Sequence, residues 1–182
     1  QTKAISRLAT QAGVTSSTVV SAAWGIVLAR LSGQPEVVFG VTRNGRHLVE
    51  GSANAAGCFI TTVPMRLRLD SALTLGVVLE QLRAEQVALR PFEHTPLTNI
   101  SRRLGLAPGR SLFDSVLMFD FGTLQEQLQS FGGAWLDREV TLHEEGDTPV
   151  SVAAYMGERL KIVVEYDPAQ VPEGPRLAKA LV

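Results

Sequence analysis

The sequence predicts a two-layer α/β (α+β) sandwich in which helices pack on a mixed sheet. Helical periodicity alternates with short apolar runs over the first part of the chain, and the last part has the pattern of a β-hairpin. In the run from Val19 to Ala29, Ser21 is the only polar residue. A helix that is apolar on nearly every side is buried on nearly every side, and this run is too short to cross a bilayer. We therefore expect it to be the central core helix.

Helices are predicted where apolar side chains recur at helical spacing between a small polar residue and a glycine or proline. They cover Lys3 to Ala12, a second segment ending near Leu31, the segments from Ser71 to Leu89 and from Pro96 to Leu104, and a final segment near Pro175. Helix caps are expected at Ser16 or Ser17, Ser71 and Thr95, and helix-ending glycines at Gly13, Gly33 and Gly105.

Strands are predicted from short β-branched runs and from alternation of polar and apolar residues. They cover Val37–Val41, Phe59–Leu69, Ser115–Phe121, Trp135–Leu142, Val150–Met156 and Leu160–Tyr166, the last two joined by a type II′ turn at Gly157-Glu158. Pro64 lacks an amide donor, so we expect it on an edge strand or at a bulge. The stretch Arg43–Ala56 has no usable periodicity, and the Gln-rich piece Thr123–Ser130 is either a helix or an extended arm.

Composition excludes several classes of protein. The 182 residues suit one domain, and 17 Lys and Arg against 18 Asp and Glu give a net charge of −1, which argues against a dedicated nucleic-acid-binding protein. Cys58 is the single cysteine, so an internal disulfide and a cysteine-based zinc site are excluded. No charged and then apolar leader opens the sequence, so we expect a cytoplasmic protein without a membrane partner.

No constellation of residues forms a self-sufficient active site. His47 is expected on a loop surface, His94 to cap or pack between two helices, and His143 to lie in a charged turn. No grouping has metal-ligand spacing, so no metal site is predicted. The tripeptide Asp120-Phe121-Gly122 occurs in kinases, but the other kinase motifs are absent from the sequence.

Five segments, in order, resemble the C-terminal half of the condensation domain of nonribosomal peptide synthetases. Gly57–Arg66 carries the most specific match, to Gly-x-Phe-(Val/Ile)-Asn-Thr-x-Pro-x-Arg. The other segments are Thr15–Gly33, Val37–Arg46, Glu93–Leu97, and Leu112–Ser115 together with Phe119–Phe121. The resemblance implies that residues 1–182 form one lobe of the chloramphenicol-acetyltransferase-like (CoA-dependent acyltransferase) fold, in which two lobes enclose a tunnel.

The resemblance also implies a function. Condensation domains join a donor acyl thioester to an acceptor amine, each carried on the 4′-phosphopantetheine arm of a carrier domain. The expected partners are the N-terminal lobe, the donor and acceptor carrier domains and a downstream adenylation domain, in the cytoplasm of a bacterium that makes antibiotics or siderophores. The family's His-His-x-x-x-Asp-Gly motif is absent from this sequence, so we expect no catalytic residue, no directly bound cofactor and no activity of this chain alone.

Candidate site residues follow from the resemblance. Tunnel positions are Phe59, Thr61, Thr62 and Arg66; the floor loop, from Asn44 to Ala56, includes Asn44, Gly45, Arg46 and His47; and the latch region includes Phe121, Gly122 and Gln125. Thr61 stands where the family usually has asparagine, which puts any hydrogen bond of that amide in doubt. For Arg66, an ion pair that braces its strand is an alternative role. We expect the floor loop and the latch region to be more mobile than the helices.

Two other functions stay open. A lobe without its catalytic partner is also suited to be a non-catalytic docking module for a carrier or adenylation domain. The lobe of an epimerisation, cyclisation or CoA-dependent acyltransferase relative is the second alternative, although Gly57-Cys58-Phe59-Ile60 favours ordinary condensation.

Overall fold

The computed structural model describes residues 2–48, 50–52, 55–70, 72–140 and 146–181. Five strands form one mixed sheet in the order β2-β1-β3-β4-β5. Their bounds are Glu36–Asn44 (β1), Ile60–Arg68 (β2), Ser115–Asp120 (β3), Val150–Met156 (β4) and Leu160–Tyr166 (β5). The two central pairs, β1 with β3 and β3 with β4, are parallel, whereas both edge strands pair antiparallel.

Helices of this fold lie before, between and after the strands. Their bounds are Thr2–Ala12 (α1), Ser16–Ser32 (α2), Leu75–Leu89 (α3), Leu97–Arg103 (α4), Leu124–Gln129 (α5) and Gly174–Ala180 (α6). Short 3-10 turns cover Gly45–Leu48, Arg90–Phe92 and Gly133–Trp135. The result is the mixed α/β sandwich that the sequence predicts.

Apolar side chains alternate along the strands so that one face of the sheet is buried under helices. That helix-covered face includes Phe39 on β1, Met65 on β2 and Leu117 on β3, all with no measurable exposure. The opposite face carries Thr62 and Arg66 on β2 and mostly half-buried residues on β3 and β4. Because successive side chains point to opposite faces, the strand sequences alone determine which face meets the helices.

Helix α2 is the centre of the core, as its uniformly apolar sequence predicts. Trp24 is fully buried, and its indole N–H donates to the Ser115 hydroxyl of β3 at 3.3 Å. Gly25 lies against β2, where an added Cβ would come within 2.4 Å of a Leu67 methyl carbon. The helix therefore approaches the sheet closely at one glycine and bonds to it at one tryptophan.

Several predicted boundaries are confirmed. Gly13, Gly33 and Gly105 have φ values of 63°, 66° and 67° and follow helices, as expected of glycines that end them. Pro64 lies on β2, which is an edge strand. The Gln-rich piece is helical, because Thr123 and Glu126 form a capping box at the start of α5.

Other boundaries were wrong. Thr15, whose side chain accepts from the Thr18 amide, caps α2 instead of Ser16 or Ser17. Thr74 occupies the N-cap of α3 and Pro96 that of α4, where we expected Ser71 and Thr95; Ser71 itself lies outside the described residues. In each case the N-cap lies one to three residues away from the predicted polar residue. The position of the cap is therefore set by where the backbone enters the helix.

The hairpin and the predicted strand before it also need correction. Met156 pairs with Leu160, so three residues join β4 to β5 and the connection is not the two-residue type II′ turn. The predicted strand Trp135–Leu142 has no strand in its described part, which ends at residue 140. No single helix among the described residues is long and apolar enough to cross a membrane; only α1 and α2 together are, and they meet at a bend of 103°.

We predict that Gly25→Ala destabilises the fold by about 1–3 kcal/mol, because the new methyl group forces Leu67 or the helix to move within a filled core. Gly76→Ala is the matched control: Gly76 is also helical, and its added Cβ would have only one neighbour within 4 Å, the Thr74 hydroxyl at 3.9 Å. Denaturant unfolding should place the control at or above the wild type, since alanine is the better helix former. Equal losses in both variants would contradict the close approach.

Candidate functional site

A cleft of about 610 Å³ lies between the open face of the sheet and the segment that follows β3. Its floor is formed by side chains of four adjacent strands, and its wall by the arm, which we define as residues 121–140. Floor residues are Thr42, Val116, Met118, Ser151, Ala153, Tyr155, Lys161, Val163 and Glu165, and the arm contributes Thr123, Leu124, Gln125, Glu139 and Val140 to the wall. The cleft is apolar in the middle and carries charged side chains.

The charges of the floor lie on the edge strand β5. Lys161 is the cross-strand partner of Tyr155, and Glu165 is the cross-strand partner of Ser151. Neither Lys161 nor Glu165 forms an ion pair with another described residue. Both charges are therefore available to a ligand in the cleft.

The end of β1 is held by a buried ion pair. Arg43 Nε lies 3.5 Å from Glu93 Oε1, and the two side chains are 19% and 6% exposed. Burial lowers the pKa of the Arg43 guanidinium below its usual value, Glu93 opposes that shift, and Arg90 adds to it. Glu93 belongs to the segment Glu93–Leu97 singled out in the sequence, so the ion pair links that segment to the strand that precedes the predicted floor loop.

Thr61 lies beside this ion pair as the cross-strand partner of Arg43. Its Oγ1 is buried and makes no hydrogen bond to a described residue, and the same holds for Arg43 Nε and Nη2. The departure from asparagine therefore falls where buried polar groups are incompletely paired, which is a costly arrangement.

Arg46 organises the predicted floor loop. Its Nη1 donates to the carbonyl oxygens of Ser52 at 2.6 Å and Ala55 at 2.8 Å, and its guanidinium lies 4.4 Å from the centroid of the Phe59 ring. The Ser52 hydroxyl donates to the Arg46 carbonyl, and the Gly45 amide donates to the Phe59 carbonyl at 2.7 Å. Charge-assisted bonds and a cation–π contact thus tie both ends of the loop to one side chain.

The loop begins later than the sequence suggested. Arg43 and Asn44 belong to β1, because the ladder continues to the pair Asn44 with Ile60. The Asn44 side chain accepts from the Arg46 amide at 3.1 Å, which starts the 3-10 turn Gly45–Leu48. His47 lies in that turn, and its side chain is outside the described residues.

The arm is anchored at its root and apolar beyond it. The Gly122 amide donates to the Met156 carbonyl at 3.2 Å, and the Thr123 amide donates to Glu126 Oε2 at 2.6 Å. Five large apolar side chains of the arm are exposed, and the most exposed are Phe131 at 77%, Phe121 at 71% and Leu136 at 57%. Several large apolar side chains exposed on one segment are typical of a surface that another protein segment covers.

The structure separates the four residues predicted for the tunnel. Thr62 lies on the open face of β2, near Gly40, and Phe59 lies under Arg46. Thr61 lies beside Arg43, and Arg66, 54% exposed, pairs with Glu85 of α3 at 3.5 Å. The alternative role for Arg66, an ion pair that braces its strand, is therefore present, and none of the four lines the cleft.

Sequence reasoning missed most of the cleft. Of the predicted site residues only Gln125 lines it. The available signal was the alternation within the hairpin strands: Ser151 and Tyr155 alternate with buried apolar neighbours on β4, as Lys161 and Glu165 do with half-buried ones on β5. Because the alternation does not give the order of the strands in the sheet, it did not indicate which neighbouring element would complete a binding site.

The described residues hold no cluster suited to a metal ion, since no group of three or more His, Cys, Asp or Glu side chains comes together. His94 is the one histidine whose side chain is described; it is exposed and does not line the cleft. Cys58 is exposed in the segment before β2. The cleft therefore offers binding groups in its described part but no imidazole.

Known structures share this fold. The condensation domain from the monacolin K polyketide synthase MokA superposes with a TM-score of 0.76 at 18% identity, over 99% of this chain and 43% of that one. The first condensation domain of the calcium-dependent antibiotic synthetase gives a TM-score of 0.70 at 18% identity, over 98% of this chain and 39% of that one. The fold is thus that of part of a condensation domain.

Sequence comparison shows the family. The family model described as the condensation domain matches residues 1–170, and the chain belongs to that family. Chondramide synthase cmdD of Chondromyces crocatus is 34% identical over 93% of this chain and 4% of its own length. Bacitracin synthase 3 of Bacillus licheniformis is 30% identical over 90% of this chain and 3% of its own length. The chain therefore spans a few per cent of the length of these relatives.

We predict that Glu93→Gln destabilises the fold by about 3–5 kcal/mol, because it leaves a buried guanidinium without its carboxylate. Glu36→Gln is the control: Glu36 pairs with Arg68 at the shorter distance of 2.7 Å, but those side chains are 40% and 69% exposed. Chemical denaturation should show a loss of about 0–1 kcal/mol for the control. A larger loss of stability in Glu36→Gln than in Glu93→Gln would show that the distance between the two charges matters more than their burial.

We predict that Arg46→Ala loosens the loop without unfolding the core. Hydrogen exchange of the Gly45 and Ala55 amides, which donate to the Phe59 and Ser52 carbonyl oxygens, should accelerate about 10- to 100-fold, because charged hydrogen bonds of about 1.5–3 kcal/mol that hold the loop are lost. The exchange rates of the β3 amides should be unchanged. In Arg46→Lys, which keeps the charge but not the planar guanidinium, the exchange rates of the loop should lie between those of the wild type and those of Arg46→Ala. Unchanged exchange in Arg46→Ala would remove the assigned role.

Proposed function

We propose that the chain is the C-terminal lobe of a condensation domain and forms one wall of the tunnel in which an amide bond is made. A donor acyl thioester and an acceptor amine would each arrive on the phosphopantetheine arm of a carrier domain. The observation that carries the proposal is the sheet face that the core helices leave open, with its 610 Å³ cleft. A two-layer domain that leaves such a face open is suited to line a space shared with another lobe.

Two further observations support the division into lobes. The chain covers about two fifths of each matched condensation-domain structure, 43% and 39% in the two described above. The arm bordering the cleft exposes Phe121, Phe131 and Leu136, an apolar surface that the N-terminal lobe would cover. In this proposal the arm contains the latch, with Phe121 and Gly122 at its root, and the segment from Gly45 to Ala56 is the floor loop.

The lobe's contribution to the chemistry would be positioning. Aminolysis of a thioester releases a thiol as the amine attacks the carbonyl carbon, and holding the two groups together lowers the entropic part of the barrier. The proton of the attacking amine must also be moved. In the proposal the histidines of the other lobe handle that proton, while Thr62, Phe59 and the cleft residues shape the space around the substrates.

The phosphopantetheine arms enter this proposal as parts of the substrates. The middle of the cleft floor is formed by Met118, Ala153 and Val163, which lie in register across β3, β4 and β5, and this apolar row suits a flexible chain of methylene and amide groups. The lobe itself is proposed to hold no resident cofactor.

The experiment joins the chain to a first lobe that carries the His-His-x-x-x-Asp-Gly motif, as one polypeptide. Donor and acceptor substrates loaded on separate carrier domains are supplied, and amide product is detected by mass spectrometry. The fused protein should form product, whereas this chain alone and a fusion lacking the first histidine pair should not. Turnover by the chain alone would overturn the division of labour.

The docking-module alternative gives a different result in the same experiment. A docking module would bind a carrier domain in titration calorimetry but yield no product even when fused to an active first lobe. Product formation with coenzyme A thioesters in place of the loaded donor carrier would instead indicate the CoA-dependent relative.

A further inference from the structure

We propose that the outer edge of β5 pairs with the same edge of a second copy of this chain, so that two sheets join into one. The strand, Leu160–Tyr166 with the sequence LKIVVEY, has its two opposite charges placed symmetrically about its middle residue. The inference goes beyond the proposed function and does not depend on it, because it concerns the backbone and the charges of one edge strand and involves no substrate.

The two edges of the sheet differ in how well they resist a further strand. The edge strand β2 contains Pro64, which has no amide hydrogen to donate. The other edge strand, β5, contains no proline, and its centre is Ile162–Val164, three β-branched residues that favour strands. An edge of this kind is suited to pair with another chain.

The backbone of β5 directs hydrogen-bonding groups to this edge. The Asp167 amide donates to the Pro149 carbonyl at 3.0 Å on the β4 side, and bonds to β4 alternate along the strand from that point. The amide and carbonyl groups of Ile162 and Val164 therefore point away from β4. On that side the described part of the sheet has no further strand.

Two helices border the edge at its ends. The Leu160 amide, which also points away from β4, donates to the Thr2 hydroxyl at the start of α1 at 2.7 Å. At the other end the Tyr166 ring lies against Gly174 of α6. The part of the edge that is open to a partner is therefore centred on Val163.

Antiparallel pairing about Val163 brings opposite charges together. A two-fold axis beside Val163 places Ile162 opposite Val164 of the second copy, so the outward-pointing backbone groups of both copies bond to one another. In the same register Lys161 lies opposite Glu165 of the second copy, and Glu165 lies opposite its Lys161. Cross-strand pairs of opposite charge stabilise a sheet, whereas like charges in the same positions destabilise it.

Other registers fit the edge less well. A shift by one residue puts the outward-pointing groups opposite groups that already bond to β4. A shift by two residues puts Lys161 or Glu165 opposite the uncharged Val163 of the second copy. It also moves the pairing onto Leu160 or Tyr166, where α1 or α6 borders the strand.

The charged residues that flank β5 follow the same symmetry. Arg159 precedes the strand and Asp167 follows it, and the register centred on Val163 places them opposite each other. Glu158, in the connection between β4 and β5, has the uncharged Pro168 opposite it. The charges around the edge therefore add to the complementarity of the two copies.

The charges of β5 are not neutralised within the chain. Lys161 and Glu165 are exposed on the open face, and neither is in an ion pair with a described residue. The third charged residue of the cleft is Glu139 of the arm, which is in no ion pair with Lys161 in the described structure. Asp120 lies on β3 and is separated from Lys161 by β4. A carboxylate of the second copy can therefore bind Lys161 directly.

The test measures the association of the 182-residue chain in solution. Sedimentation velocity over about 10 μM to 1 mM protein should show a monomer–dimer equilibrium with a Kd on the order of 100 μM, as expected for a small interface. About 0.5 M salt should weaken the dimer, because its ion pairs are exposed to solvent. A chain that stays monomeric at the highest concentration would overturn the proposal.

Charge reversal then identifies the edge. Lys161→Glu and Glu165→Lys each place like charges opposite each other and should each weaken the dimer about tenfold, whereas the double variant should restore the Kd to within about threefold of the wild type. Arg83→Glu and Glu80→Lys are the matched controls, because they make the same changes of charge on α3, which packs against β2. These controls and Glu139→Gln should leave the dimer intact. Reversals on β5 that act no more strongly than those on α3 would exclude pairing through β5.

NMR on a mixture of labelled and unlabelled chains checks the register. Residues in a non-hydrogen-bonded antiparallel pair have Cα atoms about 4.5 Å apart, so their α-hydrogens give strong contacts. Such contacts between chains should join Val163 to Val163 and Lys161 to Glu165. Contacts between chains that involve Phe131 or Leu136 of the arm in place of β5 would show a different dimer and would contradict the assignment.

Discussion

Packing of helix α2 against one face of the sheet is the constraint on which the rest of the structure depends. Trp24 bonds to β3 and Gly25 allows close contact with β2, so the helix determines which side chains of those strands are buried. Every residue at the alternate strand positions then faces away from the helices. The cleft exists because the chain supplies no second helical layer for that face in its described part.

The polar contacts described above lie where the strands end and the packing is less complete. Glu93 is held by Arg43, and Arg46 ties the loop that follows β1 to the start of β2. These contacts hold the loop in position in place of packing against the core. They involve charged groups, because a charged group such as a guanidinium can bond several carbonyl oxygens at once. A loop ordered in this way can differ between relatives while the core beneath it stays the same.

Much of the fold could be predicted from the sequence, and less of the site. The core helix, Pro64 on an edge strand and the alternation in β2 each follow from local residue types, and all three are confirmed. The buried partner of Arg43 could not be inferred locally, because Glu93 is distant in sequence and comes close only through the crossover from β2 to β3. The cleft required the sheet order, since Met118, Tyr155 and Lys161 become neighbours only when β3, β4 and β5 pair. Helix caps failed for a smaller reason. Thr15 precedes two serines of similar capping ability, and Thr74 and Pro96 occupy N-caps without a side-chain hydrogen bond, so no capping side chain marks those two helix starts.

Pro64 has a consequence for the chain during its synthesis. While a sheet is incomplete during synthesis, an exposed strand edge is able to pair with the wrong neighbour. On β2 a proline without an amide hydrogen, followed by the charged residues Arg66 and Arg68, makes that edge a poor template for a further strand. The same strand that carries the resemblance noted in the sequence thereby protects the sheet from exchanging strands with another chain.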